Sequence, residues 1–150
     1  MLKKGGIMNE KEKKVIKDFL RGYEREELRM KQLEEDIAYL NDSIGLAAIE
    51  LNGMPSGSGI SDTTAKQAEK LCELSAKLIE KRFEAAKKRS EIADMIRKLP
   101  DSRYIMLLRL RYIELKGWAE VSIEMNRDPR WVFRLHNEAL CAFEKIYKKT

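Results

Sequence analysis

Between Asn9 and Leu51 apolar side chains return every seventh residue, and this period constrains the chain more than any other feature. One row runs Ile16, Tyr23, Met30, Ile37, Ile44 and Leu51. A second runs Phe19, Leu33, Leu40 and Ala47, broken by Glu26. A 3.5-residue spacing keeps both rows facing one partner as a helix supercoils, so the segment predicts a long helix packed lengthwise on another. That partner follows in the chain. The segment from Asn52 to Ile60 holds Gly53, Gly57, Gly59 and Pro55, a loop composition. Ser61, Asp62, Thr63 and Thr64 then offer N-caps for a second helix. Its apolar row is Leu71, Leu78, Ala85, Ile92 and Leu99, with Leu74 and Met95 beside it and Lys81 and Lys88 in the weak middle of that neighbouring row. The expectation is an antiparallel hairpin over residues 9–99, about 55–60 Å long, with its loop at 52–61. Two helices leave apolar edges uncovered, which predicts a homodimer through the hairpin or docking on another domain.

Pro100 ends the second helix, and Asp101-Ser102 caps a third that reaches about Leu115, where Lys116-Gly117 stops it. A short helix from Trp118 to Met125, a turn at Asn126-Arg127-Asp128 and a last helix opened by Pro129 complete the chain. The fold class is therefore all-α: the hairpin, then a three-helix helix-turn-helix domain over residues 101–149. Val121, Met125, Val132, Leu135, Ala139, Leu140 and Phe143 form the inward stripe, closed by Trp118. On that phasing Arg130, Trp131, Arg134, Asn137 and Glu138 face outward near the start of the last helix. A recognition helix reads base edges with that end. Arginine binds guanine bidentately and asparagine pairs with adenine, so Arg130, Arg134 and Asn137 suit the major groove. Arg127, with Lys116 as a weaker candidate, suits phosphate. An ordinary solvated helix face is the competing reading of the same charges. Trp131 either contacts DNA or packs against the hairpin. His136 falls on the apolar stripe and is read as a core histidine with a hydrogen bond, in preference to a ligand or a base.

Three stretches carry a resemblance: Arg109-Leu110-Arg111-Tyr112, Gly117 through Met125, and Trp131 through Leu140. They resemble small phage and prophage proteins of Gram-positive bacteria whose C-terminal domain is similar to the fourth conserved region of housekeeping sigma factors. That region is the helix-turn-helix that reads the promoter −35 element. The long helical segment interrupted by a Ser/Gly/Pro loop fits the same group. The resemblance implies phage transcription regulation, double-stranded DNA as partner and RNA polymerase as a candidate second one. It places the promoter-reading residues at Arg130, Trp131, Arg134 and Asn137. Asp128-Pro129-Arg130-Trp131 departs from the group, where a Ser or Thr cap and a smaller polar residue are commoner. No segment resembles the sigma regions that melt DNA or read the −10 element.

Charge and cysteine usage narrow the remaining classes. The chain holds 30 basic and 25 acidic residues, a net charge of +5 that tilts it toward polyanions. Residues 1–100 carry 20 basic against 18 acidic side chains, residues 101–150 carry 10 against 7, and the excess per residue is larger in the second part. Cys72 and Cys141 lie far apart with one histidine in the chain, which predicts no metal site and two buried free thiols suited to a reducing cytoplasm. Met1-Leu2-Lys3-Lys4-Gly5-Gly6 leads into no apolar run, so no secretory signal is expected, and no window has the length of a membrane span. There is no nucleotide-binding glycine loop and no nucleophile elbow, so neither an enzyme nor a cofactor is expected. Two alternatives stand beside the regulator. One is a phage terminase small subunit, which joins a helix-turn-helix to coiled-coil helices in a ring. The other is an interaction module that docks on RNA polymerase without touching DNA.

Overall fold

The computed structural model describes residues 8–52 and 62–150. They form six α-helices, α1 Glu10–Leu20, α2 Gly22–Asn52, α3 Asp62–Arg97, α4 Ser102–Leu108, α5 Trp118–Met125 and α6 Pro129–Lys149, with a π-helical segment Arg109–Ile113 continuing α4. No strand occurs among the described residues, and the all-α class stands. The expected loop over 53–61 and the seam side chains of Ala47 and Leu51 lie outside the described residues.

The first seven-residue pattern forms two helices where the period predicts one. A capping box starts α1: Asn9 Oδ1 accepts from the Glu12 amide at 2.8 Å, and the Glu12 carboxylate accepts from the Asn9 amide at 3.2 Å. At Arg21 the backbone relaxes to φ −78°, ψ 0°, and the helix resumes at Gly22. A Cβ at Gly22 would lie 3.1 Å from Cδ of Lys88, so glycine lets the lysine stem cross the backbone there. The Lys88 ammonium then sits 5.3 Å from the Phe19 ring centre. Leu20, on neither expected row, is fully buried.

The contacts divide the chain into two compact units, Glu26–Ala85 and Met1–Arg25 with Ala86–Thr150. Within Glu26–Ala85 the seam follows the expected phase: Met30, Leu33, Ile37, Leu40, Ile44, Leu71 and Leu78 are half-buried, and Leu74 and Ala85 are buried. The two residues that break the pattern meet. Glu26 Oε2 lies 3.7 Å from Lys81 Nζ, which also donates to Glu84 at 2.8 Å, and Arg82 reaches Glu34 at 3.5 Å. A single polar layer in an apolar seam selects one register, because any slip buries each charge against carbon. Glu26→Lys should lower the melting temperature followed by circular dichroism. Adding Lys81→Glu should recover only part of the loss, since the reversed pair faces Arg29 and Glu84. Full additivity of the two changes would show that the pair does not set the register.

Cys72 is exposed and Cys141 half-buried, where both were expected inside. Cys72 follows the seam residue Leu71 and is turned about 100° from it around the helix, which places it outside.

In the other unit Ile92 and Ile96 of α3, Leu99 just beyond it, Leu107 and Leu108 of α4, Val121 of α5 and the inner face of α6 form one core with Ile16 and Leu20 of α1. Asp101 caps α4, accepting from the Arg103 amide at 2.8 Å and from its guanidinium at 2.7 Å. The π segment ends in bonds from the Glu114 amide to Arg109 O at 2.8 Å and from the Lys116 amide to Leu110 O at 3.0 Å. The residue that reverses the chain is Leu115, left-handed at φ 58°. Gly117, part of the expected stop, has φ −70° and caps α5 instead.

Candidate nucleic-acid interface

The turn between α5 and α6 is closed by three local devices. Asn126 adopts φ 55°, ψ 47°, a conformation asparagine tolerates better than most residues. The Asn126 amide bonds Ile123 O and the Arg127 amide bonds Ser122 O, both at 3.1 Å, satisfying the last carbonyls of α5. Asp128 Oδ1 accepts from the Trp131 amide at 2.9 Å, and Pro129 takes the first helical position. Three residues therefore separate two helices, and α6 begins with a defined phase.

That phase divides α6 sharply. Val132, Leu135, Ala139, Leu140 and Phe143 are buried, while Arg130, Arg134, Asn137 and Glu138 are exposed. Met125 is half-buried on the expected stripe. Arg127 is exposed, and its guanidinium carbon lies 4.8 Å from the centre of the Trp131 ring. Stacking holds that cation beside the first turn of α6, where amides without helical partners already favour anions. Trp131 is half-buried and packs against the core beneath it. Arg127, Arg130, Trp131, Arg134 and Asn137 thus gather at one end of one helix. Lys116 is engaged elsewhere, paired with Glu124 at 3.0 Å, and the Tyr104 hydroxyl donates to Glu138 at 3.4 Å.

Phe133 joins this face, and the sequence reading missed it. It is 47% exposed and lies three residues from Arg130 and four from Asn137, spacings that make them neighbours on a helix. Its ring centre is 5.1 Å from that of Trp118. Trp118 in turn carries the Arg111 guanidinium at 4.9 Å, and Arg111 donates to Lys116 O at 3.0 Å. The available signal was the i+3, i+4 spacing itself. An apolar edge here can meet a thymine methyl.

Beneath the face, His136 is 3% exposed and its Nε2 shares a 2.7 Å hydrogen bond with the Tyr112 hydroxyl. Burial drives the His136 pKa down to about 3, helped by the nearby cations Lys17, Arg111, Lys13 and Arg21. Burial also pushes Tyr112 up to about 12. Both groups are neutral near pH 7, and the bond ties α6 to the π segment. The core histidine expected from the stripe is what the structure contains.

Among the described residues no cluster of His, Cys, Asp or Glu could hold a metal ion, and no helix is long and apolar enough to cross a membrane. Comparison with protein-family models, curated proteins and solved structures finds no match to this chain.

Proposed function

We propose that this protein is a phage-type transcriptional regulator that reads duplex DNA through the first turns of α6. One observation carries the reading: Arg130, Arg134 and Asn137 share the exposed face at the start of a helix whose opposite face is wholly buried. The side chains are the types that bond guanine and adenine edges, and the helix end is the one that recognition helices insert. Charge supports it. The unit that contains α6 holds 23 basic and 13 acidic residues, a net +10, whereas Glu26–Ala85 holds 7 and 12, a net −5. The resemblance to sigma-like phage proteins supports the same assignment, with RNA polymerase as a second partner.

Binding of the full chain to fragments of its own phage or host genome, at two salt concentrations, tests the proposal. A few fragments should be retained, and Arg134→Ala should weaken them by about tenfold to a hundredfold, the range for removing one bidentate pairing with a base. Unchanged binding by Arg134→Ala would remove α6 from the interface. Absence of binding at low salt would favour the protein-interaction module.

Self-association through the helices of Glu26–Ala85 belongs to the same reading. Ile79 and Phe83, four residues apart on α3 and 58% and 75% exposed, are the apolar surface that supports it. The mass in solution separates a dimeric regulator from the ring expected of a terminase small subunit.

A further inference from the structure

The excess positive charge is not confined to the C-terminal helices. Helix α1 carries Lys13, Lys14 and Lys17, with Arg21 at its C-cap, along one side, interrupted by Glu10 and Asp18. Lys13 pairs with Glu10 at 3.6 Å. Among the described residues Lys14, Lys17 and Arg21 make no ion pair, and Lys14 and Arg21 are exposed. Lys14 with Lys17, and Lys17 with Arg21, stand at the three- and four-residue spacings where like charges on a helix repel. Asp18, four residues from Lys14 and three from Arg21, offsets part of this repulsion, and a bound polyanion would relieve the rest.

The tertiary structure sets α1 beside α6. Ile16 and Leu20 enter the shared core, Phe19 packs on Phe143 and Tyr147 with ring centres 6.0 and 5.0 Å apart, and Glu12 pairs with Lys148 at 3.9 Å. These contacts fall on the C-terminal half of α6 and leave the turns bearing Arg130 and Arg134 uncovered. His136 of α6 shares this unit's interior, and Lys17, Lys13 and Arg21 help burial to lower its pKa.

We infer that α1 is a second DNA-contact element, in which Lys14, Lys17 and Arg21 hold the phosphate backbone flanking the groove that α6 enters. This rests on the proposed function above. A lysine offers phosphate a point charge without reading the base, so α1 contributes affinity and register while α6 contributes sequence choice.

Salt dependence of binding by the full chain tests the assignment. Neutralising one phosphate-binding side chain should reduce the slope of log affinity against log salt by about 0.9, so Lys14→Gln/Lys17→Gln/Arg21→Gln should reduce it by about 2.7. The triple variant should weaken binding to a retained fragment and to an unrelated duplex by the same factor, unlike Arg134→Ala, whose effect is confined to the specific fragment. Three neutralisations on α3, Lys66→Gln/Lys70→Gln/Lys77→Gln, should leave the slope unchanged. If the α1 variant keeps the wild-type slope, or the α3 variant lowers it equally, α1 is not a contact element, while the reading of α6 stands. If the wild-type chain binds no duplex at low salt, both fail together.

Discussion

A fragment of residues 101–150 should remain unfolded in conditions where the full chain melts cooperatively. Its helices are well capped, and from local signals alone it reads as a self-sufficient domain. Its core is not complete, however, because Ile16 and Leu20 arrive from α1 and Ile92 and Ile96 from α3, each at most 2% exposed. Burying such a side chain contributes about 1.5–3 kcal/mol, so the four together supply about 6–12 kcal/mol. A small domain has about 5–15 kcal/mol of net stability in total. Fifty residues also bury a smaller share of their surface than larger domains do. Leu20→Ala in the full chain should cost about 2–5 kcal/mol in urea denaturation. A cooperative thermal transition in the isolated fragment would show that α1 and the end of α3 are dispensable to the fold.

Acid should destabilise the protein through His136 more than through any exposed group. The folded state holds this histidine near pKa 3, whereas the unfolded chain titrates it near its ordinary 6.5. Between those values the unfolded state binds the extra proton. The contribution is therefore complete above pH 6.5 and is lost as pH falls, by up to about 1.4 kcal/mol per unit. Near pH 4 the loss reaches about 3 kcal/mol. Carboxylates add their own acid dependence, so the informative quantity is a difference. Denaturation of the wild type and of His136→Gln at pH 7, 5 and 4 should show a steeper decline in the wild type. Equal slopes would mean that the folded protein protonates His136 without penalty.

Each departure from the sequence reading has a three-dimensional cause. The seven-residue period continues past Arg21, so nothing in it separates α1 from α2. At the break Gly22 leaves room for the Lys88 stem, and the two residues are 66 positions apart. Leu20 belongs to no row because α1 packs against α6 and the end of α3, and a heptad assumes one lengthwise partner. Lys116-Gly117 is a good local stop, yet the helix ends earlier, in a π segment that closes at Ile113 and leaves the reversal to Leu115. Phe133 shares the i+3, i+4 spacing of Arg130 and Asn137, but its contact partner Trp118 lies on another helix and has no trace in that spacing.

What the sequence by itself determined is everything that one or two turns of backbone can express. Pro100-Asp101, Asn126 and Asp128-Pro129 end and start helices through their own dihedral limits and caps, whatever surrounds them. The 3.6-residue period of α6 likewise dictates that Arg130, Arg134 and Asn137 oppose Val132, Leu135 and Ala139. The tertiary structure decided which helices share a core. It joined α1 to α6, paired Glu26 with Lys81, and gathered a charge of +10 in one unit from segments at both ends of the chain. The reason is range: caps and periods act over a few residues, whereas core membership and the summed field of many charges depend on distances that only the folded chain defines.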